Sequence, residues 1–260
     1  MSKQNSSNSS PSGRDALRLR QQAAAASQRR IGVAIKAAWI TGIAVIALLI
    51  GISVWSIAGA KAGSGSGGAA GALVAPAGAT DSGAVVIGKP EAKVTVTVFL
   101  DFMCPYCGRF EAANGSALAA AVDSGTAKIE VHPMAFLDDS SSGTKYSTRA
   151  ANAFVTVANQ DPAKALTFSQ LLFANQPSEG SAGLSDAKIG ELATQAGASA
   201  EVVASFANQT YQPWVAKITQ QAWDSGITGT PTVKINGEVF KGDLYNAGPL
   251  TEAITAAANG

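Results

Sequence analysis

The rhythm of polar and apolar positions changes several times along the 260-residue chain. Residues 1–13 are rich in Ser, Asn and Gln and lack the apolar content needed to form a core, so disorder is expected there. From 37 to 58 polarity almost vanishes: 22 residues carry no charge and include Ile40, Ile43, Ile46, Leu48, Leu49, Ile50 and Val54. Residues 59–83 are Gly-, Ala- and Ser-rich with almost no large apolar side chains, which reads as a flexible tether. Apolar order returns at 93–100 (KVTVTVFL), where β-branched residues alternate with Thr and predict a strand. An Ala-rich helix is expected over 109–122. A second alternating segment at 127–132 (AKIEVH) is ended by Pro133. Strand, helix, strand in that order implies parallel strands joined by a crossover helix.

Residues 144–224 read as helical almost throughout. Asp161-Pro162 supplies a cap and a first-turn proline, and Ser185 and Ser199 open two further helices. A break at 226–231 precedes two short strands, 232–235 and 238–241. They flank Asn236-Gly237, the strongest short hairpin signal. A closing helix is expected over 249–258. The segment 84–260 therefore reads as one α/β domain with a helical block of about 144–224 inserted in it.

Charge sharpens the reading of the N-terminal part. The whole chain has a net charge of +1, which argues against a general nucleic-acid binder. The distribution is uneven, with +6 over residues 1–36 and −5 over the remainder. At about 1.5 Å per residue, a helix over 37–58 matches a hydrocarbon core of about 30 Å. Trp39 and Trp55 sit near its ends, where indoles favour the membrane interface. The basic side is expected in the cytoplasm and the C-terminal bulk outside. This predicts a single-pass cell-membrane protein, with a basic cytoplasmic tail (1–36), a transmembrane helix (37–58) and a linker (59–83). A cleaved signal peptide is the rival, since 58–60 and 60–62 are small-x-small sites. The stretch is longer than the ~7–15 apolar residues usual in a signal. Both readings export the domain.

The candidate chemistry is Cys104-Pro105-Tyr106-Cys107, which holds both cysteines of the chain. It falls where a strand ends and a helix begins. Unpaired N–H groups and a partial positive charge at a helix start stabilise a thiolate, so Cys104 is expected to have a lowered pKa. Cys107 comes one turn later, near enough to resolve a mixed disulfide. The pair can cycle between dithiol and disulfide. A zinc knuckle would need a second ligand pair, and with His132 the one histidine, none is available. A purely structural disulfide closing a two-residue loop would stabilise little.

A second motif, Gly229-Thr230-Pro231-Thr232, completes a resemblance. Taken with 94–107, it resembles the DsbA-like thiol:disulfide oxidoreductases of the thioredoxin superfamily over about 84–260. That resemblance implies a thioredoxin fold with a helical insertion. It makes Pro231 a cis proline beside the cysteines and gives Thr230 backbone groups for pairing with a substrate chain. It implies an enzyme that introduces disulfides into exported proteins with cysteines, reoxidised by a quinone-linked membrane partner. No metal or organic cofactor is implied. Four positions depart from the pattern or leave a role open. Val98 stands where many relatives have a buried acid, leaving Asp101 as the nearest carboxylate, either a proton relay or a polar strand-end residue. Tyr106 replaces the His of the strongest oxidants, which leaves the oxidising power open. Arg109 either adds positive potential or forms a solvated helix face. His132 is expected to be structural. The alternatives to the oxidase are a reductase or isomerase of exported proteins and a non-catalytic thioredoxin-like docking domain.

Overall fold

The computed structural model describes residues 73–260. The expected cytoplasmic tail, the apolar stretch 37–58 and most of the expected linker lie outside the described residues. Among the described residues no helix is long and apolar enough to cross a membrane.

The chain starts with β1 (Val85–Ile87) and β2 (Val94–Leu100), then α1 (Pro105–Asp123) and β3 (Ala127–Pro133). The helical insertion comprises α2 (Tyr146–Gln160), α3 (Ala165–Ala174), α4 (Asp186–Gln195), α5 (Ala200–Ser205) and α6 (Gln212–Asp224). The hairpin β4 (Thr232–Ile235) and β5 (Glu238–Val239) leads to α7 (Pro249–Asn259). The sheet order is β1-β3-β2-β4-β5. β2 and β3 are parallel, from Val94 opposite Ala127 to Leu100 opposite Pro133. The expected crossover through α1 is therefore present. β4 runs antiparallel to β2, and β1 antiparallel to β3.

This is the expected α/β thioredoxin fold with a helical insertion, but three local expectations need correction. β1 lies outside the expected elements, because three residues are too few to show a period. Helix α1 begins at Pro105, four residues before the expected start. Asp161 makes no side-chain cap; Pro162 opens a short 3-10 turn before α3. Ser185 and Ser199 do cap, accepting from the backbone N–H groups of Lys188 and Val202 at 3.2 and 3.3 Å.

The end of the expected linker is also folded onto the domain. Pro76 and Gly83 are buried, and Ala77 N–H donates to Asn159 Oδ1 at 2.6 Å. Gly83 has φ +87° and packs so closely on Ile218 that any side chain there would collide with it. Ordered structure thus begins before residue 84.

β2 is central, and its alternation divides the core. Val98 and Leu100, with Ile129 and Val131 of β3, face Phe110 and Leu118 of α1. Each such side chain contributes roughly 1.5–3 kcal/mol when fully buried. Thr97 and Phe99, with Glu130 and His132, point to the opposite face, towards Gln221 and Ala222 at the end of α6. α2 is buried on nearly all sides from Tyr146 to Ala158, packed among α3, α5, α6 and the β1–β3 edge. Its alanines allow that close approach. At the hairpin, Asn236 and Gly237 both have positive φ (49° and 89°), as a type I′ turn requires. Asn236 Oδ1 also accepts the Thr95 N–H at 2.8 Å, tying the turn to β2.

Candidate active site

β2 delivers the chain to Leu100, and a turn closed by Cys104 N–H on Asp101 O (3.0 Å) presents the first cysteine. Pro105 then sets the local geometry. A residue before proline is pushed to extended geometry, and proline fits the first helical turn. Cys104 accordingly has φ −71° and ψ 117° and caps α1 without a side-chain bond. Its carbonyl accepts from the N–H groups of Cys107 (2.9 Å) and Gly108 (3.2 Å). Cys104 is 6% exposed and Cys107 is fully buried, so Cys104 is the sulfur a partner can reach. Both are free thiols.

The pKa values of the two thiols diverge. The Cys104 pKa is lowered to about 6, chiefly by a hydrogen bond from the Cys107 thiol, with the Thr230 side chain and the N–H groups of Cys107 and Tyr106 adding to it. Burial opposes this but does not win. The Cys107 thiol is raised well above its ordinary value of 9.0, first by burial and then by its neighbour Cys104. The helix start thus contributes to the lowered pKa, as expected, but the second cysteine contributes more.

The loop at 229–232 comes from the far end of the chain to lie against this pair. Thr230–Pro231 is a cis peptide bond. Cys104 Sγ donates to Thr230 O at 3.3 Å. Below the motif, the fully buried Asp101 is heavily engaged. Its Oδ1 accepts from Met103 N–H (2.8 Å) and the Ser147 hydroxyl (2.6 Å), and its Oδ2 from Leu137 N–H (3.0 Å). Burial, the dominant effect, raises its pKa to about 6 despite those bonds. Asp101 braces the active-site turn against α2 and the 134–137 segment, with most of its acceptor capacity used.

A thioredoxin family model matches residues 80–254. The chain belongs to the thioredoxin family. Among solved structures, oxidised DsbA of Mycobacterium tuberculosis is 28% identical, with a TM-score of 0.59 over 68% of this chain and 93% of that one. Oxidised BdbD of Bacillus subtilis is 25% identical, with a TM-score of 0.58 over 73% of this chain and all of that one. DsbG of M. tuberculosis is 26% identical, with a TM-score of 0.55 over 68% and 94%. The protein is therefore a DsbA-like member of the thioredoxin superfamily. Curated relatives include the serine/threonine-protein kinase PknE of M. tuberculosis and M. bovis, 32% identical over 162 residues. That match covers 55% of this chain and only 29% of PknE.

In this thioredoxin-family chain Val98 lines a crevice under α1 with Phe110, Phe154 and Glu111, whose pKa burial raises to about 7. Arg109 is not among the groups that lower the Cys104 pKa. His132 is 2% exposed and stacks on Phe99, with ring centroids 4.1 Å apart and planes 13° from parallel. Burial and then the Lys234 charge lower its pKa to about 4. A histidine depressed from about 6.5 favours folding fully above its unfolded value, and that contribution is lost as pH falls towards 4. His132→Phe is expected to remove this loss, worth at most about 3 kcal/mol between pH 6.5 and 4. Urea unfolding of parent and variant across that window measures it. Equal pH slopes would show that His132 is not buried as a neutral ring.

Sequence reasoning missed several residues that shape the site. Gln176, just after α3, donates from Nε2 to the carbonyls of Phe102 (3.1 Å) and Cys104 (2.9 Å). Ser147 reaches Asp101 from α2. Tyr245 stands beside Tyr106, with ring centroids 5.9 Å apart. None of these lies in a motif, and each arrives from an element remote in sequence.

Proposed function

We propose that the protein is a membrane-tethered, extracytoplasmic thiol–disulfide oxidoreductase that introduces disulfides into exported proteins. The observation that carries this reading is the asymmetry of the two sulfurs: Cys104 is reachable, with a pKa of about 6, whereas Cys107 is buried with its pKa raised. In the disulfide form, a substrate thiolate attacks Cys104 Sγ. The bond to Cys107 breaks, and Cys107 leaves as a thiolate that takes up a proton. A second substrate thiol, once deprotonated, attacks the substrate sulfur of the mixed disulfide and releases Cys104 as a thiolate. Two electrons pass from the substrate dithiol to the enzyme pair. A low-pKa sulfur is a good leaving group, so release of oxidised substrate is fast. Stabilising the Cys104 thiolate also stabilises the reduced enzyme, which makes the disulfide oxidising. A quinone-linked membrane partner would then reoxidise the pair. The uncharged stretch 37–58 and the basic tail before it support the tether and the orientation.

One observation favours a second reading, a reductase or isomerase. A Cys104 pKa of about 6 is nearer the ~7 of thioredoxin than the ~3.5 of a strong oxidant. The reduction potential decides between them, measured on the full chain in glutathione buffers with thiol trapping. The expected value lies between about −270 mV, typical of thioredoxin, and about −120 mV, typical of strong oxidants. A value at or below about −270 mV would overturn the oxidase reading and support electron flow out of the domain.

A further inference from the structure

Tyr106, two residues past Cys104, packs against Tyr245, and both are exposed (55% and 36%). The Arg109 guanidinium lies over both rings, 5.8 Å from the Tyr106 centroid and 4.7 Å from that of Tyr245. The arrangement is built rather than incidental. Asn114, buried in α1, donates from Nδ2 to Leu244 O at 2.8 Å and pins the loop to the helix that carries Cys107 and Arg109. Asp243 then shapes the turn, accepting the Tyr245 N–H (2.7 Å) and the Asn246 amide (2.6 Å). Tyr245 is close enough to the cysteines that their charges, after burial, help raise its pKa.

Arg109 makes no ion pair or hydrogen bond among the described residues, where the ion pairs are Arg149–Asp186 and Lys188–Glu191. The neighbouring Asp243 carboxylate is committed to its own turn. Arg109 is not among the leading influences on the Cys104 pKa. What remains is a planar cation packed against two rings, with its donors unused among the described residues, on the helix that begins after Cys104. A guanidinium in that state is organised to bind a carboxylate with two parallel hydrogen bonds.

We infer that Arg109, packed against both Tyr106 and Tyr245, is a carboxylate-recognising subsite that selects substrate segments with Asp or Glu beside the cysteine attacking Cys104. This rests on the exchange reaction proposed above and adds a substrate preference to it.

The test uses the full chain in its disulfide form and two single-cysteine peptides that differ only in having Asp or Lys next to the cysteine. Rates of mixed-disulfide formation give an Asp-to-Lys ratio for the parent and for Arg109→Gln. Dividing the two ratios removes the difference in the peptides' own thiol pKa values. The parent is expected to favour the Asp peptide by about tenfold relative to the variant, the size of one charge-assisted contact. Arg109→Glu should shift the ratio further towards Lys, and Arg109→Lys should restore part of the preference. Thiolate absorbance should show the Cys104 pKa unchanged in Arg109→Gln, which separates recognition from activation. Equal ratios in parent and Arg109→Gln would overturn the subsite and leave the exchange reaction standing. Failure of both peptides to react with the parent would overturn the exchange reaction and the subsite with it.

Discussion

Cys107→Ala is expected to stay joined through Cys104 to partners whose disulfide it attacks: the partner S–S bond breaks, one partner sulfur bonds Cys104, and no enzyme thiol remains to resolve the mixed disulfide. The unequal access of the two sulfurs is the cause. Cys104 alone is reachable, so mixed disulfides form there, and only Cys107 can release them from within the enzyme. Removing Cys107 also removes the largest single influence lowering the Cys104 pKa. The Cys104 pKa should therefore rise from about 6 towards its ordinary 9.0 in Cys107→Ala. Cys107→Ser keeps a hydrogen-bond donor and should fall between. Cys104→Ser, lacking the reachable sulfur, should form no mixed disulfide and lose exchange altogether. Thiolate absorbance against pH reads the first effect, and non-reducing gels after acid quenching read the second. An unchanged Cys104 pKa in Cys107→Ala would mean that the helix start, rather than the neighbouring thiol, controls the nucleophile. A Cys104→Ser protein that still acts on its partners would favour a docking role.

Asp101→Asn is expected to gain stability relative to the parent as pH rises from acid to neutral. The Asp101 carboxyl is fully buried, and its pKa rises from 3.8 to about 6. A carboxyl with a raised folded-state pKa favours folding most below its unfolded value. That contribution falls as pH rises through 3.8 towards 6 and stays lost above it. The shift corresponds to about 3 kcal/mol at pH 7. An Asn amide is neutral like the protonated acid, but its NH2 group carries two donors and cannot accept the Leu137 N–H, so the variant carries a pH-independent cost. Relative to the parent, the variant should nonetheless gain about 3 kcal/mol between pH ~3.5 and 7. Urea unfolding at the two pH values measures the difference. The Cys104 pKa should fall in the variant as well, because Asp101 and Cys104 repel when both are charged. A difference that stays the same at both pH values would show that the carboxylate ionises without penalty and serves only as a brace. The ionisation penalty is the cost to stability at which Asp101 holds the site at neutral pH.

The central β-α-β unit is legible in the sequence because β2 and β3 alternate and are long enough to show it. β1, with three residues, is not. Cys104 and Cys107 stand out because spacing and local placement suffice to identify such a pair. Asp101 is marked by its proximity to them in sequence, but its part as a brace depends on Ser147 and Leu137, which reach it from elsewhere in the chain. Gln176, Asn114 and Tyr245 carry no local signal, because their partners lie on other elements.

The sequence by itself determined the β-α-β unit and the position of the redox pair at a helix start, which rest on short-range physics: strand alternation, the φ restriction of proline and the N–H groups free at the start of a helix. The thioredoxin fold and the proline loop facing the pair were legible only through the family resemblance of their motifs. Only the tertiary structure decided which influence sets the Cys104 pKa, how Asp101 is held, and that Arg109 packs against two tyrosines far apart in sequence. Those are effects of burial and of contacts between segments far apart in the chain. Neither has a period or a spacing that a linear reading can detect.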